Sequence, residues 1–411
     1  MIGSSGSFIS KGNRFGPSIK SGAPGGVYRK NVNRSGGFGA AGKGGKFRFR
    51  PFLNPSLQTF LGILLVFFIC TKFYGGVMVM PFLSKVSMLL TLALAGIIIL
   101  NNINIYKKIH YLVFIIFAVQ FVLSRNITML YAYFLALALY NINFRLVMKV
   151  FILTNVLLFC IMIVLNLTGM RPSEFIHGRN DFGFGNPNSA FLGMFLIWIT
   201  YAYLIFDKMN KFDVALLVIM GIIMFSQTGT RTGLLTIIVS GIIMFFYKSE
   251  KFRNSRIIKW LSVMFPVLMT GLSLVITYFM YDSLFLNKML SHRPLYWNRY
   301  FTDPRSGLNL FGYAANIRDT LFMPRVPLDS GYLWALFSQG IIVYVILMVL
   351  ICISLKKLFD EGRKAEIVLM LSILVYCFAE SIMLELGNNI PLILIVYAMF
   401  SSGGKSPVGR R

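Results

Sequence analysis

The chain has 411 residues, 56% of them hydrophobic and only 13% charged, with a formal net charge of +26 and a mean hydropathy of +0.71. A soluble domain carries about a quarter charged residues and under half apolar ones, so a soluble globular enzyme is excluded, as are a disulfide scaffold and an acidic disordered tail. The composition is that of an all-α polytopic membrane protein.

Residues 1–55 hold thirteen glycines, ten Lys or Arg and no acidic residue. No apolar run follows Met1, so the segment does not read as a signal peptide. It is expected to be a disordered basic arm that meets anionic lipid headgroups rather than nucleic acid. From residue 56 to 402, apolar runs alternate with short polar gaps. Twelve candidate spans fall at about 56–71, 84–101, 109–124, 127–140, 145–168, 189–206, 214–228, 232–247, 257–281, 331–354, 366–386 and 389–402, followed by a short tail at 403–411. Several are shorter than the ~20 residues of a comfortable span. Cys70, Cys160, Cys352 and Cys377 all lie inside apolar runs without metal-ligand spacing, which marks them as small apolar residues.

Counting Lys and Arg on alternate sides gives 28 on the side of the basic arm against 12 on the other. By the positive-inside rule both termini are then cytoplasmic. The two long gaps, 169–188 and 282–330, fall on the outer side, and no internal repeat or broken midplane helix is visible. Function is expected on the outer face.

Four outer segments carry chemistry. In Arg179-Asn180-Asp181-Phe182-Gly183-Phe184-Gly185-Asn186-Pro187-Asn188, Asn188 is placed to cap the next helix; an ordinary capped turn with a solvated arginine explains the segment equally well. Ser226-Gln227-Thr228-Gly229-Thr230-Arg231-Thr232-Gly233 sets hydroxyls and a guanidinium at the outward start of a helix, a composition that suits diphosphate; the alternative is a snorkelling arginine in a tight turn. The long loop contains Ser291-His292-Arg293-Pro294-Leu295-Tyr296-Trp297 and ends in Asp329-Ser330-Gly331-Tyr332. Its aromatics beside Arg and Asp fit sugar rings, or else an interfacial belt, and Asp329 is positioned to cap the helix that follows. Glu380, read as lying within the outer half of a span from Glu366 to about Asn388, needs a cavity or a cation. His177 and His292 also fall on the outer side.

These motifs, with Ala379-Glu380-Ser381, together resemble the bacterial O-antigen polymerase (Wzy-type) family and its relatives the O-antigen ligases, over roughly residues 56–402. The basic arm lies outside the family pattern. The resemblance implies a GT-C-like membrane glycosyltransferase of about twelve helices in the bacterial plasma membrane, with a long outer loop before the tenth. It would polymerise undecaprenyl-diphosphate-linked oligosaccharide repeat units into O-antigen, capsular or exopolysaccharide on the outer face, without metal or other cofactor. Arg179, Arg231 and Arg293 would bind diphosphate, with Asn188, Ser226, Thr230 and Tyr332 completing the substrate site, and Asp329, Glu380 or His292 would accept the hydroxyl proton. The implied partners are the lipid-linked oligosaccharide, the bilayer, and candidate chain-length regulator and flippase proteins, with no nucleic acid. A ligase transferring finished polymer and, from a different class, a polysaccharide flippase or permease are the alternatives.

Overall fold

A computed structural model describes residues 51–176, 178–250, 255–317, 320 and 326–399. The first fifty residues of the basic arm, His177 and the tail at 403–411 lie outside the described residues. The chain enters the bundle where the Phe52 and Leu53 amides both donate to Asn101 Oδ1 at 2.8 Å.

With no water in a bilayer core, a spanning segment must satisfy its backbone internally, and apolar runs of this length do so as helices. Eight described helices are long and apolar enough to cross a membrane: α1 (Pro55–Val77), α2 (Pro81–Asn101), α5 (Phe144–Leu167), α6 (Pro187–Ile205, with a 3-10 turn to Lys208), α7 (Lys211–Thr228), α8 (Arg231–Lys248), α9 (Arg256–Phe279) and α12 (Gly331–Asp360). Between them, α3 (Lys108–Ser124) and α4 (Thr128–Leu139) are shorter apolar helices. They are distinct elements, because Arg125 ends α3 in the left-handed conformation, at φ 60°. The eleventh and twelfth candidate spans take a different form: α13 (Lys364–Tyr376) has 13 residues, and the last run is a 3-10 turn (Ile390–Ile393) leading into α14 (Leu394–Met399). Polar residues mark the starts: Asn54, Asn143, Asn186, Asn210 and Ser330 each cap a helix through the side chain.

The long loop is itself partly helical, with α10 (Leu284–Met289) and α11 (Arg293–Thr302). The other long gap carries a two-stranded ribbon, Phe175–Ile176 (β1) against Arg179–Asn180 (β2), antiparallel. Burial separates centre from rim: 67% of the apolar windows of α6 and α12 is buried, against 22% for α2 and α7. Helix α13, short and almost wholly buried, packs against α6, α8 and α12.

Two features depart from the sequence reading. First, α12 is broken at Gly340 (φ 81°, ψ 166°), although no broken helix was expected. The loop at 309–313 fills the break: Ile341 N donates to Asn309 O, and Tyr313 N to Ser338 O. Asn126 Nδ2 adds bonds to the carbonyls of Tyr313 and Ser338 at 3.0 and 3.2 Å. A Cβ on Gly340 would stand 2.3 Å from Gly312 N, so neither backbone tolerates a side chain there. Second, the helix expected to run past Glu380 stops at Tyr376. Gly331, at the start of α12, presses on the segment that follows. Its amide donates to Cys377 O at 2.6 Å, taking a carbonyl that a continuing helix would use internally. Residues 377–389 therefore form mostly buried turns, with Glu385 exposed, rather than a span.

Candidate functional site

One end of the bundle gathers the ends of α5, α7, α9 and α13 with the starts of α6, α8, α11 and α12, and the polar motifs meet there. Arg293, in the first turn of α11 and only 5% exposed, sets its Nη2 3.0 Å from Glu380 Oε1 and 3.6 Å from Asp329 Oδ2. The same Glu380 oxygen accepts from Asn188 Nδ2 at 3.3 Å. Asn188 Oδ1 in turn accepts from Arg179 Nη2 at 2.7 Å and from the Thr230 hydroxyl at 3.3 Å. Arg179 also donates to Thr230 Oγ1 at 3.1 Å and, through Nε, to the Thr228 carbonyl at 2.7 Å. A single network thus joins residues that lie as much as 192 positions apart in the chain.

Local structure explains how each side chain arrives. In the 179–188 segment most of the motif is scaffold. Asp181, fully buried, accepts from the Glu174 and Gly183 amides at 2.9 and 3.0 Å, and Phe184 packs its ring against Tyr74 and Phe159. Gly183 (φ 77°) is obligatory because a Cβ there would lie 2.8 Å from Arg171 O. Asn186, rather than Asn188, caps α6, with its Oδ1 2.8 Å from Asn188 N. This frees the Asn188 side chain for the network. Ser330, rather than Asp329, caps α12, and Asp329 is likewise left facing Arg293. Two consecutive non-glycine residues with positive φ, Ser291 (55°) and His292 (62°), precede Arg293. Such strain persists only where the surroundings hold it and is concentrated at functional sites.

The electrostatics are lopsided. Burial, then the Arg293 and Arg231 charges, push the Arg179 pKa below its ordinary value, with Glu380 acting in the opposite direction. Three guanidinium groups therefore share one field with two carboxylates. Arg231, at the first position of α8, is exposed. Thr230 stands at the cap position of that helix but makes no capping bond with its side chain, so the first-turn amides of α8 keep their donors. Arg293 Nε, Trp297 Nε1 and the Tyr376 hydroxyl are buried without a hydrogen-bond partner among the described residues.

Not every expected residue joins. Ser226 is exposed, with its hydroxyl bonded to Ile223 O at 2.9 Å. Tyr332 is fully buried, donating to Leu374 O at 3.0 Å. His292 is exposed beside the cluster. The sequence reading missed the Thr228 carbonyl, which no side-chain pattern announces. Among the described residues, no three His, Cys, Asp or Glu side chains come together as a metal-ligand set. The arrangement can bind an anion with several oxygens and offers a carboxylate beside it. No family model, no curated protein and no solved structure matches the chain.

Proposed function

We propose that the chain is a membrane glycosyltransferase that elongates polysaccharide from undecaprenyl-diphosphate-linked repeat units on the outer face of a bacterial plasma membrane. The observation that carries this reading is the meeting of Arg179, Asn188, Thr230, Arg293, Asp329 and Glu380 in one network, with Arg231 exposed beside it. A diphosphate ester matches such a set: guanidinium forks pair with its oxygens, and the uncapped start of α8 adds N–H donors. An apolar cleft of about 450 Å³ between α7 and α8 runs from Leu234, within one turn of Arg231, to Lys248. A long isoprenoid tail attached to that diphosphate would lie along it.

In the reaction, a hydroxyl oxygen of the acceptor sugar attacks the anomeric carbon of the donor glycan. The bond from that carbon to the diphosphate oxygen breaks, and lipid diphosphate leaves with the electron pair. The arginines stabilise the charge that builds on it. The hydroxyl proton goes to a carboxylate. Glu380 already accepts two hydrogen bonds at one oxygen, which makes it a positioning residue for Arg293 and Asn188. Asp329, half-buried and 3.6 Å from Arg293, is the better proton acceptor.

Radiolabelled lipid-linked oligosaccharide supplied to the purified protein in liposomes tests the reading. Chain extension is the expected result. Transfer to a different acceptor would make the protein a ligase. Movement across the bilayer without a new bond would make it a permease, a second reading that the break at Gly340 favours, since broken helices are a transporter device.

A further inference from the structure

The turn that carries Glu380 has a second face. Five residues on, Glu385 lines a separate cavity of about 110 Å³ together with Lys72 and Phe73 of α1, Met88 of α2, and Thr128 and Tyr131 of α4. The Lys72 ammonium stands 5.5 Å over the Tyr131 ring and makes no ion pair among the described residues. Glu385 holds the Asn388 side chain through Oε2 at 3.0 Å. The Tyr131 hydroxyl is fixed by Thr91 Oγ1 at 2.6 Å.

This lining differs in kind from the arginine cluster. One ammonium is matched by one carboxylate, so a diphosphate would meet repulsion from Glu385 as well as attraction from Lys72. Two aromatic rings offer flat apolar faces, while the carboxylate accepts from hydroxyl groups and the ammonium donates to hydroxyl and ring oxygens. Together they describe a neutral, polyhydroxylated ring. The cavity is also close to the cluster: five residues span at most ~18 Å when fully extended, and bonds from Ile382 N to Glu380 O and from Glu385 N to Ile382 O fold them tighter.

We propose that this cavity seats the terminal sugar of the acceptor, the second lipid-linked unit, while the donor diphosphate occupies the arginine cluster. The inference rests on the polymerase reading and assigns that reaction its second substrate site. One short turn then holds both: Glu380 orders the anion side, and Glu385 takes the sugar side.

The test uses the full chain in liposomes with two probes, undecaprenyl diphosphate alone for the donor side and radiolabelled lipid-linked repeat units for elongation. In Lys72→Met/Glu385→Gln, elongation at limiting repeat units should fall ~10-fold or more, the scale of lost hydrogen bonds to charged groups. It should recover at saturating units, with undecaprenyl diphosphate binding unchanged. Thr128→Val, which keeps shape, should move elongation the same way by a smaller factor. Elongation equal to wild type in the double variant overturns the acceptor site while leaving the polymerase reading intact. Loss of undecaprenyl diphosphate binding in Thr128→Val also overturns it, because the cavity would then belong to the donor side. A wild-type protein that binds undecaprenyl diphosphate but never elongates removes the polymerase reading and this site with it.

Discussion

Two charge clusters, one near each end of this bundle, are balanced in opposite ways. At the end where α12 finishes and α13 begins, three cations meet three carboxylates: Lys259 pairs with Asp360, Lys357 with Glu361 at 3.9 Å, and Arg363 with Glu366 at 2.9 Å. Phenols join in, with Tyr397 donating to Glu361 and Tyr203 to Glu366. In the cluster at the other end Arg179, Arg231 and Arg293 share two carboxylates, and Arg231 has no ion pair among the described residues. The matched cluster ties helix termini together. The arginine cluster keeps a positive surplus beside uncapped helix amides, which is how a protein prepares for an anion it does not itself supply.

The sharpest way to break this comparison is Arg293→Ala. It removes a buried guanidinium and leaves Glu380, with a side chain only 16% exposed, hydrogen-bonded to Asn188 without its ion-pair partner. Breaking a buried pair on one side costs about 3–5 kcal/mol, and loss of one charge-stabilising donor about 10²–10³ in rate. Thermal unfolding in detergent and elongation should therefore both fall. Wild-type behaviour in either measurement would mean that Arg293 is ornamental.

Arg231→Ala sharpens the contrast, because Arg231 is exposed and does no structural work that would be lost. Elongation should fall by about 10²–10³ while stability stays within about 0.5 kcal/mol of wild type. If polymer length survives, the positive surplus is not there for the substrate.

The sequence announced several of the residues that meet but not how, and it also offered Ser226 and Tyr332, which bond elsewhere. Because apolar helices alternate in direction, counting the gaps placed Arg179, Thr230, Arg293 and Asp329 at one end, whereas Glu380 was placed by a span that stops at Tyr376. Pairing was invisible, since it depends on which of two asparagines caps α6. With Asn186 in that role, Asn188 became the hub of the network. The fate of 377–389 was equally hidden. Ala-Glu-Ser-Ile-Met-Leu is as apolar as a span, and composition does not distinguish a buried turn from a helix. The decision came from Gly331, distant in sequence, taking the Cys377 carbonyl. The break at Gly340 was hidden for a similar reason: a lone glycine in an apolar run signals nothing until Gly312 lies against it.

Glu380→Gln asks whether the arginine cluster is tuned or merely positive. Glutamine keeps an oxygen to accept from Asn188 and Arg293 but no longer competes with diphosphate for the guanidinium. Undecaprenyl diphosphate should bind as tightly as in wild type or more tightly, while elongation falls about 10-fold from looser positioning. A fall of about 10²–10⁴ with unchanged binding would reassign Glu380 as the general base.

The smallest effect is expected in the matched cluster, from Asp360→Asn. Lys259 and Asp360 have side chains 34% and 48% exposed, so water and salt screen their attraction, and pairs of this kind contribute about 0–1 kcal/mol. Lys259 also rests 5.1 Å over the Phe359 ring, a contact the substitution leaves in place. The variant should elongate polymer at the wild-type rate and lose at most a small amount of thermal stability, and that loss should vanish at high salt, where exposed charges no longer feel each other. A large drop in elongation here would mean that the two ends are coupled through α12. The break at Gly340 would then become the first place to look, because it is the point where the helical backbone is interrupted.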